Sequence, residues 1–169
     1  MEATLNSLKY FSNLGFGGSN IGDRAASIIR DSIKRNYTKI SNDPDSTLPF
    51  FYSYKYLLEG NALINALHSA HAAVNKDNFG KSLDNKGGGS IICGALSENI
   101  LTLVSCGNCQ AYLYRKGHLS QEILADSLAN LSRDRHDTFF QTSPMSAIGL
   151  FEDLHFQVRE IKLPVGMRF

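Results

Sequence analysis

Four stretches of this 169-residue chain carry residue types at spacings that could do chemistry. Cys106-Gly107-Asn108-Cys109 has the C-x-x-C spacing of a zinc knuckle or a redox pair. A structural zinc site needs two further ligands, and neither a second C-x-x-C nor an H-x-x-x-H follows. A redox pair stands at a helix N-terminus after a strand, whereas this one falls between two predicted strands. The expectation is a buried turn with two inert thiols. His68 and His71 lie three apart on a predicted helix and share a face, where two imidazoles could hold a metal. No third ligand converges with them, so partly exposed helix histidines are expected. Asp126, within Ala125-Asp126-Ser127-Leu128, is expected as a carboxylate on a helix surface. The run from Gly15 to Gly22 supplies the freedom and close backbone approach of a turn leading into a helix. Neither a Ser/His/Asp nucleophile setting nor a phosphate-cradling G-x-x-x-x-G-K-[ST] occurs.

Periodicity supplies the elements that must position these residues. Leu8 to Ser12 is expected as a short strand feeding the Gly-rich turn. A helix capped by Asn20 places Ala25, Ile28, Ile29, Ser32 and Ile33 on one face. It ends before the turn cluster Asn42-Asp43-Pro44. Asp23 then sits in its first turn, where the helix dipole favours negative charge. A second helix is expected from about Phe51 to Asn75, bent or weakened at Gly60. Its buried stripe is Leu57, Leu58, Ala62, Leu63, Ala66, Leu67, Ala70 and Val74. A polar connector, Asp77 to Gly89, leads into three alternating runs: Ile91 to Leu96, Ile100 to Ser105 and Gln110 to Arg115. These read as consecutive strands joined by tight turns. Glu122 to Leu131 reads as helical. His155 to Leu163 alternates as a strand with Phe156, Val158 and Ile161 inward. The fold class is α/β, of the α+β kind. Two adjacent antiparallel helices pack on a mainly antiparallel sheet, in a single domain over residues 1–169.

Leu14 to Ala26 resembles the D-G-x-G-G-x-x-x-G-[ED]-x-A segment of the metal-dependent protein phosphatases of the 2C type. Two later stretches resemble that family in the same order. Gly88 to Leu119 is similar to its G-T-T-L run and its V-G-D-S-R-A-Y-L-Y-R-x-G-x-L hairpin, nearly literally over Ala111 to Leu119. Ser146 to Leu150 and Ile161 to Phe169 are similar to its A-[LI]-G segment and L-x-x-G-D-R-[FY] step. The family-motif positions are Gly17, Gly18, Gly22, Asp23, Gly107, Asn108 and Gly149. The resemblance implies a phosphatase-2C-like sandwich shortened at both ends. The family's N-terminal R-x-x-N-E-D strand, whose Arg holds the substrate phosphate, and its C-terminal metal-binding strands have no counterpart.

The resemblance also implies where metals would lie. In the family the leading Asp of the first motif bridges two catalytic cations, and here that position is Leu14. An isobutyl side chain offers no lone pair to a hard divalent cation. Gly15, whose carbonyl would face one metal, cannot hold it alone. Asp126 resembles the D-H-S-L Asp that supplies an accessory ligand in bacterial members. Asn108 replaces the Asp of the G-D-S-R turn, serving the turn while dropping the charge. Two-metal hydrolysis needs several carboxylates converging on the cations to generate the bridging hydroxide. The expectation is a degenerate domain with no metal and no catalytic residue, acting as a regulatory module that binds a protein partner such as a phosphoprotein. The alternative is a fragment of an active serine/threonine phosphatase dependent on Mn²⁺ or Mg²⁺. A third reading is a purely structural domain in a larger assembly.

Composition bounds the partners. Hydrophobic residues make up 43% and charged residues 20%, close to globular averages. A formal net charge of +1, with no basic stripe interleaved with aromatics, gives no footprint for nucleic acid or an anionic membrane. No apolar run approaches the roughly 18 residues a membrane span needs, and Met1 to Lys9 lacks the regions of a secretory signal. Three cysteines, an odd number, argue against a disulfide framework and for a reducing cytoplasm. An open sheet edge invites pairing, so a homodimer through that edge is a further expectation.

Overall fold

A computed structural model describes residues 8–16, 18–43, 47–130 and 138–164. The elements in chain order are β1 (Leu8–Phe16), α1 (Ser19–Asn42), α2 (Leu58–Asn78), β2 (Gly88–Ser97), β3 (Ile100–Cys106), β4 (Ala111–Arg115), β5 (His118–Ile123), α3 (Thr138–Thr142) and β6 (Gln157–Lys162). Four strands form an antiparallel sheet in the order β1-β2-β3-β6, and β4 pairs with β5 as a separate hairpin. The two long helices pack on each other and on the sheet. They run antiparallel: Arg24, early in α1, reaches Asp77 at the end of α2.

The core forms where the two periodicities meet. Ile91, Cys93 and Ala95 alternate along β2, opposite Cys106, Val104 and Thr102 of β3. On that face they meet Ile29, Ile33 and Tyr37 of α1 and Leu63, Leu67, Ala70 and Val74 of α2, all buried. Burying each large aliphatic side chain contributes about 1.5–3 kcal/mol, so this seam holds the helices to the sheet.

Several expected boundaries move, each for a local reason. The first strand runs on to Phe16 rather than stopping at Ser12, because the pairing of β1 with β2 continues to Gly88. Gly18 caps α1 and no side chain bonds there, so Asn20 lies inside the helix instead of capping it. The second helix begins at Leu58 rather than Phe51, leaving Leu57 and Leu58 41% and 56% exposed. Two buried asparagines explain the late start. Asn65 Oδ1 accepts the Phe50 and Phe51 N–H groups and its amide donates to the Phe51 carbonyl, while Asn61 bonds both backbone groups of Ser53. The preceding segment thus bonds side chains of α2 instead of continuing the helix. Gly60 falls in the first turn of α2, where a Cβ would crowd Tyr56 and Glu160 at 3.1 Å.

The C-terminal half departs further. The connector is shorter than expected, since Asp77 and Asn78 belong to α2 and Gly88 opens β2. Strands β2 and β3 are adjacent as expected. Strand β4 is not their neighbour, because the chain turns away at Gly107, with φ of 85°, before β4 pairs with β5. Glu122 and Ile123 end β5, so no α-helix starts at Glu122, and a single 3₁₀ turn covers Leu128–Asn130. The bridge between Ser127 and Pro144 holds the segment before that turn out of helical geometry. Phe156, just before β6, and Val158 on it pack on the core as expected. Ile161 has the opposite parity and faces away, and Glu160 occupies the inner side, accepting the Leu57 N–H.

Candidate functional site

One end of the four-stranded sheet gathers most of the family-motif positions. Leu14 lies on β1 paired with Ser90, and Gly15 is paired with Gly89. A Cβ on Gly15 would stand 2.6 Å from the carbonyl carbon of Gly22, so glycine at 15 is what lets strand and helix meet. The Gly18 carbonyl accepts the N–H groups of Ile21 and Gly22, at 2.8 and 2.9 Å, and starts the helix. Gly17 lies outside the described residues. Asp23 is exposed and falls just past the first turn rather than within it, because α1 begins at Ser19.

Ser90 ties this junction to the next turn, its Oγ accepting the Asn108 N–H at 2.8 Å. Gly107 is held in a left-handed conformation, and a Cβ on it would stand 2.8 Å from the Ser146 carbonyl oxygen. Its own carbonyl accepts the N–H groups of Cys109 and Asp126. Asn108 keeps the turn, as its side chain donates to the Gln141 carbonyl at 2.8 Å. Burial pushes the Cys106 thiol up to about 12 and the Cys109 thiol up to about 11. A thiol held protonated is a poor nucleophile, since the thiolate is the reactive form. Cys106 is buried in this turn and Cys109 partly buried.

Asp126 is not the helix-surface carboxylate expected. It sits in the loop after β5, where the Ser146 hydroxyl donates to its Oδ2 at 2.5 Å and its carbonyl accepts the Met145 N–H at 2.9 Å. Those bonds tie the loop to the segment ending in Gly149. That segment docks on α2: Asn78 Nδ2 bonds the Gly149 and Gly87 carbonyls at 2.8 and 2.6 Å, and the Gly149 N–H donates to His71 Nδ1 at 3.2 Å. Gly149 is left-handed, with φ of 82°, and abuts Val74, which leaves no room for a side chain.

The histidines separate. His71 is buried, at 8% exposure, against the expectation of a partly exposed residue, because the docked Gly149 covers it. His68 is half-buried, stacked on Phe50 and edge-on to Phe156. Burial lowers both imidazoles below their usual range. Among the described residues no group of three or more His, Cys, Asp or Glu is placed to hold a metal ion.

A cleft of about 340 Å³ opens beside Gly107, walled by Ser105, Asp126, Met145, His155 and Gln157 with Phe156. The Ser105 hydroxyl is buried without a hydrogen-bond partner.

No family model matches the sequence, and no curated protein matches it. Solved structures do match. The chain superposes on PppA, "a key regulatory component of T6SS in Pseudomonas aeruginosa", with a TM-score of 0.68 and 21% identity over 91% of its length. It superposes on the Mycobacterium tuberculosis serine/threonine phosphatase PstP/Ppp with a TM-score of 0.65 and 18% identity over 96%. The fold is that of the bacterial phosphatases of the PPM, or 2C, type. A Stage II Sporulation E family protein from Thermanaerovibrio acidaminovorans matches similarly, with a TM-score of 0.65 and 20% identity over 94% of the chain. The chain spans 60% of the length of PppA, 69% of PstP/Ppp and 74% of the sporulation protein. At these identities the phosphatase likeness is one of fold.

Within the phosphatase fold, the sequence pointed to Asp126, Gly107 and Asn108 and missed Ser105, Ser146, His155 and Gln157. Those four have no spacing that joins them; a strand register and a loop crossing bring them together. The Asn61 and Asn65 clamp had a signal, two amides four residues apart within an apolar helix stripe.

Proposed function

We propose that this chain is a pseudophosphatase, a domain that keeps the phosphatase fold as a protein-binding or regulatory module and does not hydrolyse phosphate esters. The observation that carries the reading is Leu14. It lies on a strand that meets the following helix through Gly15 seated on Gly22, and the position that the resemblance gives to the bridging carboxylate holds a hydrocarbon. A pair of divalent cations needs several oxygen ligands at once. The donors near this end fit such a pair poorly. Asp126 already accepts the Ser146 hydroxyl, and no third His, Cys, Asp or Glu joins any pair among the described residues. The partner on this reading is a protein, with a phosphoprotein as the natural first candidate, because a lost hydrolytic centre leaves a surface shaped for protein substrates.

The second reading, a fragment of an active Mn²⁺- or Mg²⁺-dependent serine/threonine phosphatase, draws on the chain's 60% span of PppA. Assaying aryl phosphate hydrolysis with and without Mn²⁺ separates the two. The wild type and Leu14→Asp should both stay at the metal-free background, since one added carboxylate does not complete a two-cation site. Metal-dependent turnover by the wild type would sink the pseudophosphatase reading. Turnover by Leu14→Asp alone would show that other carboxylates converge on the position.

A further inference from the structure

We propose that the cleft beside Gly107 binds the ammonium or guanidinium group of a lysine or arginine side chain. The inference rests on the protein-binding reading only for who carries that group. The case is made by the polar groups in the wall. Several of its donors are spent inside the protein. The Ser146 hydroxyl is committed to Asp126 Oδ2, the Met145 N–H to the Asp126 carbonyl, and one N–H of the Gln157 side-chain amide to the Leu124 carbonyl at 2.7 Å. The acidic group in the wall is the Asp126 carboxylate, and further oxygen acceptors stand beside it. The second Asp126 oxygen, the Gln157 side-chain carbonyl and the Ser105 hydroxyl, 1% exposed and unpartnered, share one cleft. A wall with one carboxylate and spare oxygen acceptors suits a ligand made of N–H donors with positive charge, which is what a basic side chain offers. A serine hydroxyl needs only a turn about χ1 to meet such a donor, which would relieve its buried, unpaired state. The Phe156 ring and Met145 thioether give the stem of the side chain an apolar wall. An anion would face the Asp126 carboxylate, the acidic group of the wall. A divalent cation would find one carboxylate and one imidazole, fewer than it needs.

The test follows backbone and side-chain amide signals of the full chain by NMR during titration with three probes. These are Nα-acetyl-argininamide, a Gly/Ser peptide with one central arginine, and the same peptide with glutamine in its place. Both arginine probes should shift Ser105, Asp126 and Gln157, and the glutamine peptide should not. Asp126→Asn keeps an oxygen to accept the Ser146 hydroxyl while removing the charge, and should weaken arginine binding roughly tenfold. Ser105→Ala should weaken it too while leaving the thermal midpoint unchanged or higher, since it deletes a buried unpaired hydroxyl. Silence toward both arginine probes overturns the proposal. So does equal affinity in Asp126→Asn, or broadening of these signals by Mn²⁺ without any response to arginine. Binding of the small arginine probe with exclusion of the peptide overturns the side-chain assignment. An aryl phosphate assay on the same sample reports separately on the pseudophosphatase reading.

Discussion

The β1–α1 junction and the Gly107–Asp126 turn stand side by side at one end of the sheet, joined through Ser90, and they have kept different things. At the junction the packing is intact, with Gly15 seated against Gly22, while the polar residue the motif calls for is Leu14. Across Ser90 the polar groups are still there: Asp126 bonded to Ser146, Ser105 unpaired, Asn108 holding the turn. The lesson is that this geometry is fixed by backbone close approach and not by ligand residues. Glycine at the contact point lets strand and helix meet, so the junction keeps its form with leucine, not a carboxylate, at position 14.

That comparison can be broken first at the glycines. Gly15→Ala should destabilise the chain by about 3 kcal/mol or more, because its methyl meets helix backbone that cannot yield. Gly107→Ala should cost a similar amount, with left-handed strain added to the clash with Ser90 and Ser146. Urea unfolding would measure both. A loss below about 1 kcal/mol at Gly15 would mean that the junction relaxes and that side chains, not backbone contact, hold it.

A smaller effect should come from acid. His68 and His71 are lowered by burial, so the folded state holds them neutral while the unfolded chain takes up protons near the ordinary value. Their contribution is therefore fully present above about pH 6.5 and is lost as pH falls below it toward their lowered folded values. The docked Gly149 segment should loosen first, since protonating His71 Nδ1 removes the acceptor for the Gly149 N–H. Hydrogen exchange at Gly149 from about pH 7 to about pH 5 would show the change. His71→Gln, whose carbonyl can still accept that N–H, should flatten the pH dependence.

The fold was largely legible in the sequence and the site only in part. Ile91, Cys93 and Ala95 alternate with period two, and Ala25, Ile29 and Ile33 recur at helical spacing, so local pattern determines where they face. Phe51 to Leu57 has apolar residues that imitate helix periodicity, and the amides of Asn61 and Asn65, a non-local feature, override it. Glu122 to Leu131 reads as helical for the same reason until Ser127 bridges Pro144. The cleft illustrates the limit most sharply, because Ser105 and Gln157 share it through the register of β3 with β6, and Asp126 through a loop crossing.

The smallest expected effect lies at the polar side of the comparison. Asp126→Asn should change stability by less than about 1 kcal/mol, since an amide oxygen can still accept the Ser146 hydroxyl and the site is only half-buried. A large loss in thermal unfolding would make Asp126 a structural keystone and put the two sides of Ser90 on an equal footing.

The central claim is that the junction at Leu14 keeps its shape without holding a pair of metal ions. Titrating Mn²⁺ into the wild-type chain, with the free ion followed by electron paramagnetic resonance, tests it most directly. The account predicts that the free-ion signal rises in step with added Mn²⁺ from the first addition. Uptake of a pair of ions per chain, with the broadened spectrum of a coupled dinuclear centre, would contradict it.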